Sequence, residues 1–277
     1  MFWQTARFTI DLQQPRVMGI VNATPDSFSD GGHHATADAA KSHCDRLVRE
    51  GADILDIGGE STRPGAPTPD LAEELARVVP VLRHAVTLGV PVSVDTSRAE
   101  VMQAALDLGV DIVNDVRALQ RSGALAVVAA HPSAGVCLMH MRGEPGSMQQ
   151  EAHYADVLAE VAGFLQARVD AAVAAGVALA RIALDPGIGF AKTPEHNWGL
   201  MQRQRELLVL GRPLLLGWSR KSSLGLLTGR PVGERLAASV AAALAAVHQG
   251  ASIVRVHDVA ATVDALKVWR ASGLLPR

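Results

Sequence analysis

The chain of 277 residues has few cysteines, few aromatic residues and no excess of either charge. Its two cysteines, Cys44 and Cys137, are too few for a disulfide framework or a four-thiolate metal site. We expect both to be free thiols in a reducing compartment. The 26 basic side chains nearly balance 28 acidic ones. That balance argues against a general electrostatic affinity for nucleic acid or for an anionic membrane.

Long apolar segments and several familiar motifs are also missing. No apolar run approaches the roughly 18 residues that a membrane-spanning helix needs, and residues 1–16 lack the apolar core of a signal peptide. We therefore expect a soluble cytoplasmic protein. The sequence contains no Walker A loop, no HExxH zinc motif and no GxSxG nucleophile motif. Gly187-Ile188-Gly189 is only half of a dinucleotide-binding fingerprint.

Apolar residues, in contrast, make up 48% of the chain. Short runs rich in valine, isoleucine and leucine alternate with longer amphipathic segments. Because these runs mostly lack polar alternation, they are typical of strands buried on both faces of a parallel sheet. The predicted strands are Val17–Val21, Ile54–Ile57, Val90–Val94, Asp111–Val113, Gly135–Met139, Arg181–Leu184, Pro213–Leu216 and Ser252–Val256.

Helix signals separate the predicted strands. Ser97 followed by Glu100 predicts a capping box, and Thr193-Pro194 predicts a capped start with proline at the first helical position. The predicted helices cover residues 36–50, 71–88, 97–109, 122–130, 153–175, a segment from 193, 234–249 and 259–272. Strand–helix units without a linker predict one α/β domain over 1–277, a (β/α)₈ TIM barrel whose bottom a short N-terminal β element closes. A doubly wound open sheet is the alternative.

Polar residues follow the carboxyl end of every predicted strand. In such barrels these ends form the face on which chemistry occurs. A single aspartate there is usually a helix cap, but polar residues at all the ends together predict a shared pocket. In strand order they are Asn22, residues 58–63, residues 95–97, Asn114 and Asp115, His140, Asp185, residues 219–222, and Arg255, His257 and Asp258.

The cations of this face indicate a phosphate site. They are Arg63, Arg220, Lys221 and Arg255, and His257 adds a further donor. Arginine presents a planar fork to phosphate oxygens, and barrels often bind phosphate after their last two strands. Asn22 offers a neutral oxygen, which suits a Mg²⁺ ion that keeps its waters and bridges phosphates.

The acceptors of the same face indicate a flat heterocycle. Asp95, Asn114 and Asp185 each end a predicted strand with a side-chain oxygen. Each such oxygen can accept one N–H from a ring that carries adjacent donors. The residues alone therefore predict a polar ring that bears a phosphate group.

Eight longer segments carry a resemblance to a known family. They are MGIVNATPDSFSDGG (18–32), DIGGESTRPGA (56–66), SVDTS (93–97), IVNDVRAL (112–119), CLMHMRG (137–143), LDPGIGFAK (184–192), SRKSSLG (219–225) and IVRVHDV (253–259). Together, and in this order, they closely resemble the bacterial dihydropteroate synthases, which are pterin-binding TIM barrels. The resemblance extends from about residue 16 to residue 272.

This resemblance implies a reaction and its partners. In it, 6-hydroxymethyl-7,8-dihydropterin diphosphate condenses with p-aminobenzoate to give 7,8-dihydropteroate and diphosphate, a step of folate biosynthesis. The family uses Mg²⁺, usually forms homodimers and is inhibited by sulfonamides, which mimic p-aminobenzoate. An enzyme of this kind is a transferase with no nucleic-acid or membrane partner.

The resemblance also implies roles for matching residues. The pterin ring is expected to contact Asp95, Asn114, Asp185 and Lys221. The diphosphate and its metal are expected to contact Asn22, Arg63, Arg255 and His257, with Asn22 as the metal ligand. The p-aminobenzoate site is expected to contain Thr62, Pro64, Phe28 and Ser222, with Phe190 as an aromatic wall. The expected catalytic residues are Asp95, Lys221, Arg255 and His257.

The implied chemistry is a dissociative substitution. Loss of diphosphate leaves a cation delocalised over the pterin, so that Asp95 is expected to counter the cation and Lys221 to hydrogen-bond the ring. No general base is expected, because the aniline nitrogen is neutral at pH 7. The loops Ala23–His34 and Ser61–Thr68 are long for barrel connections and are expected to close as a lid.

Two other functions remain open at this point. A methyltetrahydrofolate:corrinoid methyltransferase shares the pterin-binding barrel, but it would not need the TPDSFSDGG and STRPGA loops or the Arg255 and His257 pair. A non-catalytic pterin-binding barrel is the second alternative. The intact motifs argue against it.

Overall fold

The computed structural model describes residues 1–24, 32–60, 68–144 and 148–274, and within them a ring of eight parallel strands surrounded by helices. The ring contains β3 (Arg16–Asn22), β4 (Ile54–Gly58), β5 (Val92–Asp95), β6 (Ile112–Asp115), β7 (Gly135–Met139), β8 (Ile182–Asp185), β9 (Leu215–Leu216) and β10 (Ile253–Val256). Neighbours follow the order β8-β7-β6-β5-β4-β3-β10-β9, and a parallel bridge between Leu184 and Leu214 closes the ring. The predicted TIM barrel is confirmed, and the open-sheet alternative is wrong because both edges pair.

Helices cover the outside of the ring. Their bounds are α1 (Gly32–Arg49), α2 (Leu71–Ala85), α3 (Ala99–Asp107), α4 (Ala124–Ala130), α5 (Val157–Ala174), α6 (Pro194–Arg203), α7 (Ser222–Thr228), α8 (Leu236–His248) and α9 (Val259–Ala271). The sequence predicted one helix after the seventh barrel strand, whereas the structure has α7 and α8 there. None of the helices in the described ranges is long and apolar enough to cross a membrane.

The two predicted helix caps had different outcomes. Thr193 caps α6 as predicted, since its side chain accepts the His196 N–H and Pro194 opens the helix. The capping box at Ser97 is wrong. The residue at the N-cap of α3 is Arg98, without a side-chain cap bond, and Ser97 donates its hydroxyl proton to buried Asp115 instead. A carboxylate is a stronger acceptor than the alternatives open to this hydroxyl, and this one lies on the next strand.

An antiparallel hairpin closes the bottom of the barrel, as the sequence predicted. It pairs β1 (Phe2–Gln4) with β2 (Thr9–Asp11). Trp3 is fully buried, and its indole N–H donates to the Arg181 carbonyl oxygen at 2.8 Å. Trp3, Ile10 and Leu12 form one apolar cluster with residues from seven barrel strands, Met18, Ile54, Ile112, Cys137, Ala183, Leu215 and Ile253. The lower barrel interior is therefore an apolar plug.

Candidate active site

Charged side chains occupy the barrel interior directly above this plug. Side chains of a strand alternate between its two faces, so the residue two positions after each plug residue also faces inward. On β4, β6, β8 and β10 these residues are Asp56, Asn114, Asp185 and Arg255. Asp95 ends β5 at the same mouth. The structure thus brings together four residues that the sequence predicted for the site, and adds Asp56.

Arg255 connects the acids of this layer. Its Nε donates to Asp56 Oδ2 at 2.6 Å, and its Nη2 donates to Asp95 Oδ2 at 2.7 Å. Burial alone lowers the pKa of Arg255, but the charges of Asp56 and Asp95 outweigh it and raise the pKa. Arg255 therefore remains a cation in a protein interior that would otherwise be costly for it.

Asp56 is the residue that sequence reasoning missed. It is fully buried in the middle of β4, and its Oδ2 also accepts the Asn114 Nδ2–H at 3.1 Å. Site candidates were sought at and after the carboxyl ends of the predicted strands, and Asp56 lies two residues before the end of β4. The signal that could have found it is an aspartate within an apolar run, since carboxylates are rarely buried unless paired.

Burial shifts the pKa of the acids that face the mouth. It raises the pKa of Asp95, an effect that Arg255 opposes and that Asp56 reinforces. It also raises the pKa of Asp185 to about 6, against the Gly187 N–H and the Lys221 charge. Burial lowers the pKa of Lys221 to about 8, which the charge of Asp185 partly offsets. Perturbed titratable groups gathered in one pocket are typical of functional sites.

A tightly held loop after β8 positions Asp185. The Gly187 N–H donates to Asp185 Oδ1 at 2.7 Å. Gly187 has a φ of +70°, and a Cβ there would lie 1.9 Å from the His140 carbonyl oxygen, so that only glycine fits. Lys192 is buried beneath the loop and donates to the Gly187 and Phe190 carbonyl oxygens, each at 3.0 Å, and to His140 Nδ1 at 2.9 Å. Asp185 therefore presents its Oδ2 from a fixed backbone.

Lys221 and Phe190 lie together at the edge of the pocket. The Lys221 ammonium is 4.2 Å from the centroid of the Phe190 ring, a cation–π contact. Ser222 follows Lys221 as the exposed first residue of α7. These three predicted residues are therefore adjacent.

His257 is a neutral imidazole in this structure. Its Nδ1 is 3.0 Å from Ser219 Oγ, which also accepts the His257 backbone N–H at 3.1 Å. Burial lowers the pKa of His257 to about 3, with contributions from Arg220 and Arg255. Since Ser219 has a hydroxyl proton to direct at Nδ1, the ring proton belongs on Nε2.

Several polar strand ends are paired with neighbouring protein groups, so the expectation that all of them would serve one shared pocket needs correction. Arg220 forms a salt bridge with Asp258 at 2.6 Å and its side chain is 41% exposed. Asp115 accepts hydrogen bonds from the Arg117 and Leu119 backbone N–H groups of its own loop and from the Ser97 hydroxyl. Both of its carboxylate oxygens are therefore already hydrogen-bonded within the protein. His140 is buried against Lys192.

Four predicted site residues lie outside the described ranges. They are Phe28, Thr62, Arg63 and Pro64. Most of the two loops that were expected to form a lid falls in the same gaps. Their contribution stays a prediction.

Asn22 ends β3 at the mouth of the barrel and is half-buried. In the described part of the chain, no cluster of three His, Cys, Asp or Glu side chains could hold a metal ion. A protein cage for a cation is therefore not visible in those residues. One neutral amide oxygen instead suits Mg²⁺, which dehydrates reluctantly and takes other ligands from water and phosphate.

Comparison with known proteins agrees with this geometry. A family profile described as "pterin binding enzyme" matches residues 18–257. The dihydropteroate synthase of Neisseria meningitidis serogroup B is 54% identical over 278 aligned positions, which cover 98% of each chain. The family match begins within β3 and extends past the end of β10.

Solved structures extend the comparison to three dimensions. A dihydropteroate synthase of Xanthomonas albilineans, solved with 4-aminobenzoic acid, has a TM-score of 0.93 and 50% identity, with complete coverage of both chains. The same bacterium's enzyme in complex with 7,8-dihydropteroate has a TM-score of 0.89 and 48% identity, covering 99% of this chain and 100% of the other. The Yersinia pestis enzyme, in complex with a sulfonamide drug, has a TM-score of 0.93 and 46% identity, covering 99% of each. The chain therefore belongs to the dihydropteroate synthase family of pterin binding enzymes.

Proposed function

We propose that the chain condenses 6-hydroxymethyl-7,8-dihydropterin diphosphate with p-aminobenzoate, which yields 7,8-dihydropteroate and diphosphate. The observation that carries this proposal is the buried layer of carboxylate and amide oxygens around Arg255, in a chain 54% identical to a dihydropteroate synthase along almost its whole length. This layer lies beneath the barrel mouth, where the family's substrate would enter. The chain is accordingly a transferase of folate biosynthesis.

We assign the pterin ring to Asp95, Asn114, Asp185 and Lys221. The Asn114 amide directs its Nδ2–H to Asp56, so its Oδ1 remains as an acceptor. Asp185 Oδ1 accepts the Gly187 N–H, so Asp185 Oδ2 remains available as an acceptor for the ring. Two acceptors on neighbouring parts of one wall fit the adjacent amino and ring N–H donors of a pterin. Lys221 supplies a donor for a ring nitrogen or oxygen.

The charges of the layer suit a dissociative reaction. In that reaction the C–O bond to diphosphate breaks with its electron pair, and the amine lone pair of p-aminobenzoate forms the C–N bond and releases a proton to water. Three carboxylates, Asp56, Asp95 and Asp185, share the site with two cations, Arg255 and Lys221. The excess negative charge is preorganised to stabilise a cationic pterin. Asp95 is the carboxylate closest to the mouth on the Arg255 side, so we assign it the largest part.

We assign the leaving group to Arg255 and His257. Arg255 uses Nε and Nη2 on the two acids, which leaves its Nη1 hydrogens for phosphate oxygens. The His257 Nε2–H would add a neutral donor on the same side. Arg63 belongs to this group by family resemblance, as a second guanidinium for the phosphate oxygens.

We also propose that Asn22 contributes one oxygen to a Mg²⁺ ion that binds with the diphosphate. When bound, the ion would neutralise charge on the leaving group. Removal of the Asn22 oxygen should weaken diphosphate binding in the presence of Mg²⁺ but not in its absence. Calorimetry of inorganic diphosphate with Asn22→Ala, with and without Mg²⁺, tests this assignment.

We place p-aminobenzoate against Phe190 and Ser222, with Thr62, Pro64 and Phe28 assigned by resemblance. The Phe190 ring offers an apolar face next to Lys221, which suits an aromatic ring that carries a carboxylate. Sulfonamides of similar shape should compete for this place. Competition kinetics with p-aminobenzoate measure it directly.

A homodimer through α7 and α8 is part of the proposal. Four large aliphatic side chains between residues 226 and 236 are exposed, Leu226 at 71%, Leu227 at 68%, Val232 at 57% and Leu236 at 48%. Exposed apolar patches of this kind mark interaction surfaces. Leu236→Glu should therefore shift the sedimentation coefficient from dimer to monomer. Val209→Glu is the matched control, because Val209 is 85% exposed but lies outside this patch.

We assign the enzyme to the cytoplasm. Both Cys44 and Cys137 are buried free thiols, and burial raises the pKa of Cys44 to about 12. Unpaired thiols of this kind suit a reducing compartment. Fractionation of cells that express the chain would test the assignment.

A single assay tests the proposed function. The protein is mixed with the pterin diphosphate, p-aminobenzoate and Mg²⁺, and release of diphosphate is followed together with formation of dihydropteroate. Both products should appear in equal amounts, dihydropteroate should be lost when p-aminobenzoate is omitted, and Asp185→Asn should slow formation of both at limiting pterin diphosphate. Methyl transfer from methyltetrahydrofolate to a corrinoid, without diphosphate release, would instead identify a methyltransferase. Pterin binding without either reaction would identify a non-catalytic barrel.

A further inference from the structure

Asp56 occupies an unusual place among the residues of the site. It is fully buried, and its Oδ1 has no hydrogen-bond partner among the residues that the structure describes. Its Oδ2 accepts from two side chains of different assigned roles, Asn114 at 3.1 Å and Arg255 at 2.6 Å. One buried oxygen atom therefore connects the ring-binding and leaving-group sides.

The contact with Asn114 determines which way its amide faces. A carboxylate oxygen that takes the Arg255 Nε–H can only accept, so Asn114 must turn its Nδ2 toward Asp56. The Asn114 Oδ1 is then directed away from Asp56 as an acceptor for a ring N–H. Without Asp56, either orientation of the amide would be available, and the reversed one would place a donor against the donors of the ring.

The contact with Arg255 determines the direction of its guanidinium. Asp56 binds Nε, Asp95 binds Nη2, and the planar group is thereby held at two corners. The two Nη1 hydrogens and the second Nη2 hydrogen are left as donors that neither acid uses. Loss of the Nε contact would leave Asp95 as the one charged partner within the described residues and would let the guanidinium rotate about it.

We propose that Asp56 is a positioning residue, which orients Asn114 toward the pterin ring and Arg255 toward the diphosphate. It rests on the proposed function and adds a residue that acts through two others. Replacement of a side chain that orients ligand-binding groups typically lowers affinity or activity on the order of 10- to 100-fold. Both halves of the substrate should be affected, because both contacts share one atom.

The test uses Asp56→Ala, which removes both carboxylate oxygens, and a matched control, Asp111→Ala. Asp111 is also a fully buried aspartate paired with an arginine, Arg7, but it lies at the bottom of the barrel. Kd is measured by calorimetry for 6-hydroxymethylpterin and for inorganic diphosphate with Mg²⁺, and KM for p-aminobenzoate is measured separately. Asp56→Ala should weaken the pterin and the diphosphate on the order of 10- to 100-fold, with a change in KM for p-aminobenzoate below about threefold. Asp111→Ala should change none of the three by more than about threefold, whatever it does to the melting temperature.

A double-mutant cycle separates positioning from general damage. If Asp56 acts through Asn114, the loss of pterin affinity from Asp56→Ala should largely disappear in an Asn114→Ala background. An undiminished loss in that background, or an equal loss with the Asp111→Ala control, would overturn the proposal.

A second variant covers the case in which Asp56→Ala does not fold. Asp56→Asn can place its amide oxygen where Oδ2 lies, so it keeps an acceptor for the Asn114 and Arg255 donors. It should bind the pterin more tightly than Asn114→Ala because the Asn114 acceptor still faces the ring. Binding no tighter than that of Asn114→Ala would count against the proposal. If the wild-type protein binds no pterin at all, it is the proposed function that fails, and this result is distinct from the others.

Discussion

The lower and upper layers of the barrel interior are built by the same strands, yet they have opposite chemistry. The lower layer is an apolar plug sealed by Trp3, and the upper layer holds carboxylates, an amide and cations. On seven strands the upper residue lies two positions after the lower one, in the pairs Met18 and Ile20, Ile54 and Asp56, Ile112 and Asn114, Cys137 and Met139, Ala183 and Asp185, Leu215 and Gly217, and Ile253 and Arg255. The polar upper members are those of β4, β6, β8 and β10.

The contrast between the two layers shows how the barrel combines stability with function. Apolar burial in the lower layer stabilises the fold by roughly 25 cal/mol per Å² of surface removed from water. Buried charge in the upper layer stabilises little, since desolvation offsets most of the attraction within each pair. A change in the lower layer should therefore affect the free energy of unfolding, and a change in the upper layer should affect binding.

The largest expected effect is on stability, from Trp3→Ala. The change removes the largest side chain of the plug and its hydrogen bond to the Arg181 carbonyl oxygen. We expect a loss of about 3–5 kcal/mol in the free energy of unfolding. Chemical denaturation measures it, while the pterin Kd of the folded fraction should stay within about twofold. A large loss of pterin affinity would show that the two layers are not separable in this way.

The next effect is on binding, from Asp185→Asn. The amide places a donor where the pterin has donors, and affinity for the ring should fall by about 2–3 kcal/mol. The free energy of unfolding should stay unchanged or increase, because the substitution removes the buried charge of Asp185. Calorimetry with 6-hydroxymethylpterin and a denaturation curve check both halves. Unchanged pterin binding in a folded variant would exclude this role for Asp185.

A third prediction concerns pH. Pterin binding requires the carboxylates of Asp185 and Asp95, whose pKa values burial raises to about 6 and about 7, and the ammonium of Lys221, with its pKa lowered to about 8. Pterin affinity should therefore be greatest between pH 7 and 8, falling on the acid side as the two carboxylates gain protons and on the basic side as Lys221 loses one.

The same groups should act on stability in the opposite sense. Raised carboxyl pKa values in the folded state mean that stability falls as pH rises from about 4 toward 7. A lowered lysine pKa means that stability increases as pH rises from about 8 toward 10. Binding and unfolding measured across pH 5–9 compare these trends, with Asp185→Asn as the control whose acid limb should become less steep, because Asp95 alone of the two then titrates. An acid limb of unchanged steepness in that variant would assign it to other groups.

The smallest effect is expected at the surface, from Lys267→Ala. Lys267 pairs with Asp264 at 3.2 Å, with side chains 70% and 74% exposed. Such pairs are screened by water, so stability should change by less than about 1 kcal/mol and pterin affinity not at all. Lys221→Ala, in comparison, should weaken pterin binding and leave the fold intact. Similar effects of the two changes on binding would contradict the site as assigned.

The sequence predicted the strands and helices better than it predicted the hydrogen-bond and ion-pair partners of individual side chains. All eight barrel strands and the polar character of their ends could be found from short apolar runs and the residues after them. The capping role of Ser97 was wrong, because Asp115 on the next strand takes its hydroxyl proton. Arg220 pairs with Asp258, a partner that the sequence did not predict. Asp56 was missed because the site candidates were taken from the ends of the predicted strands, and Asp56 lies inside β4.

The strand–helix alternation, the short N-terminal β element at the barrel bottom and the motifs that identify the family follow from local pattern and residue type, so they could be predicted from the sequence. Which charges meet depends on the fold. Asp56 and Arg255 are 199 residues apart in the chain, and the pairing of β3 with both β4 and β10 brings Arg255 Nε to within 2.6 Å of Asp56 Oδ2. Their pairing, together with the burial that raises the pKa of Asp185 and lowers that of Lys221, depends on the low-dielectric interior that the closed barrel creates.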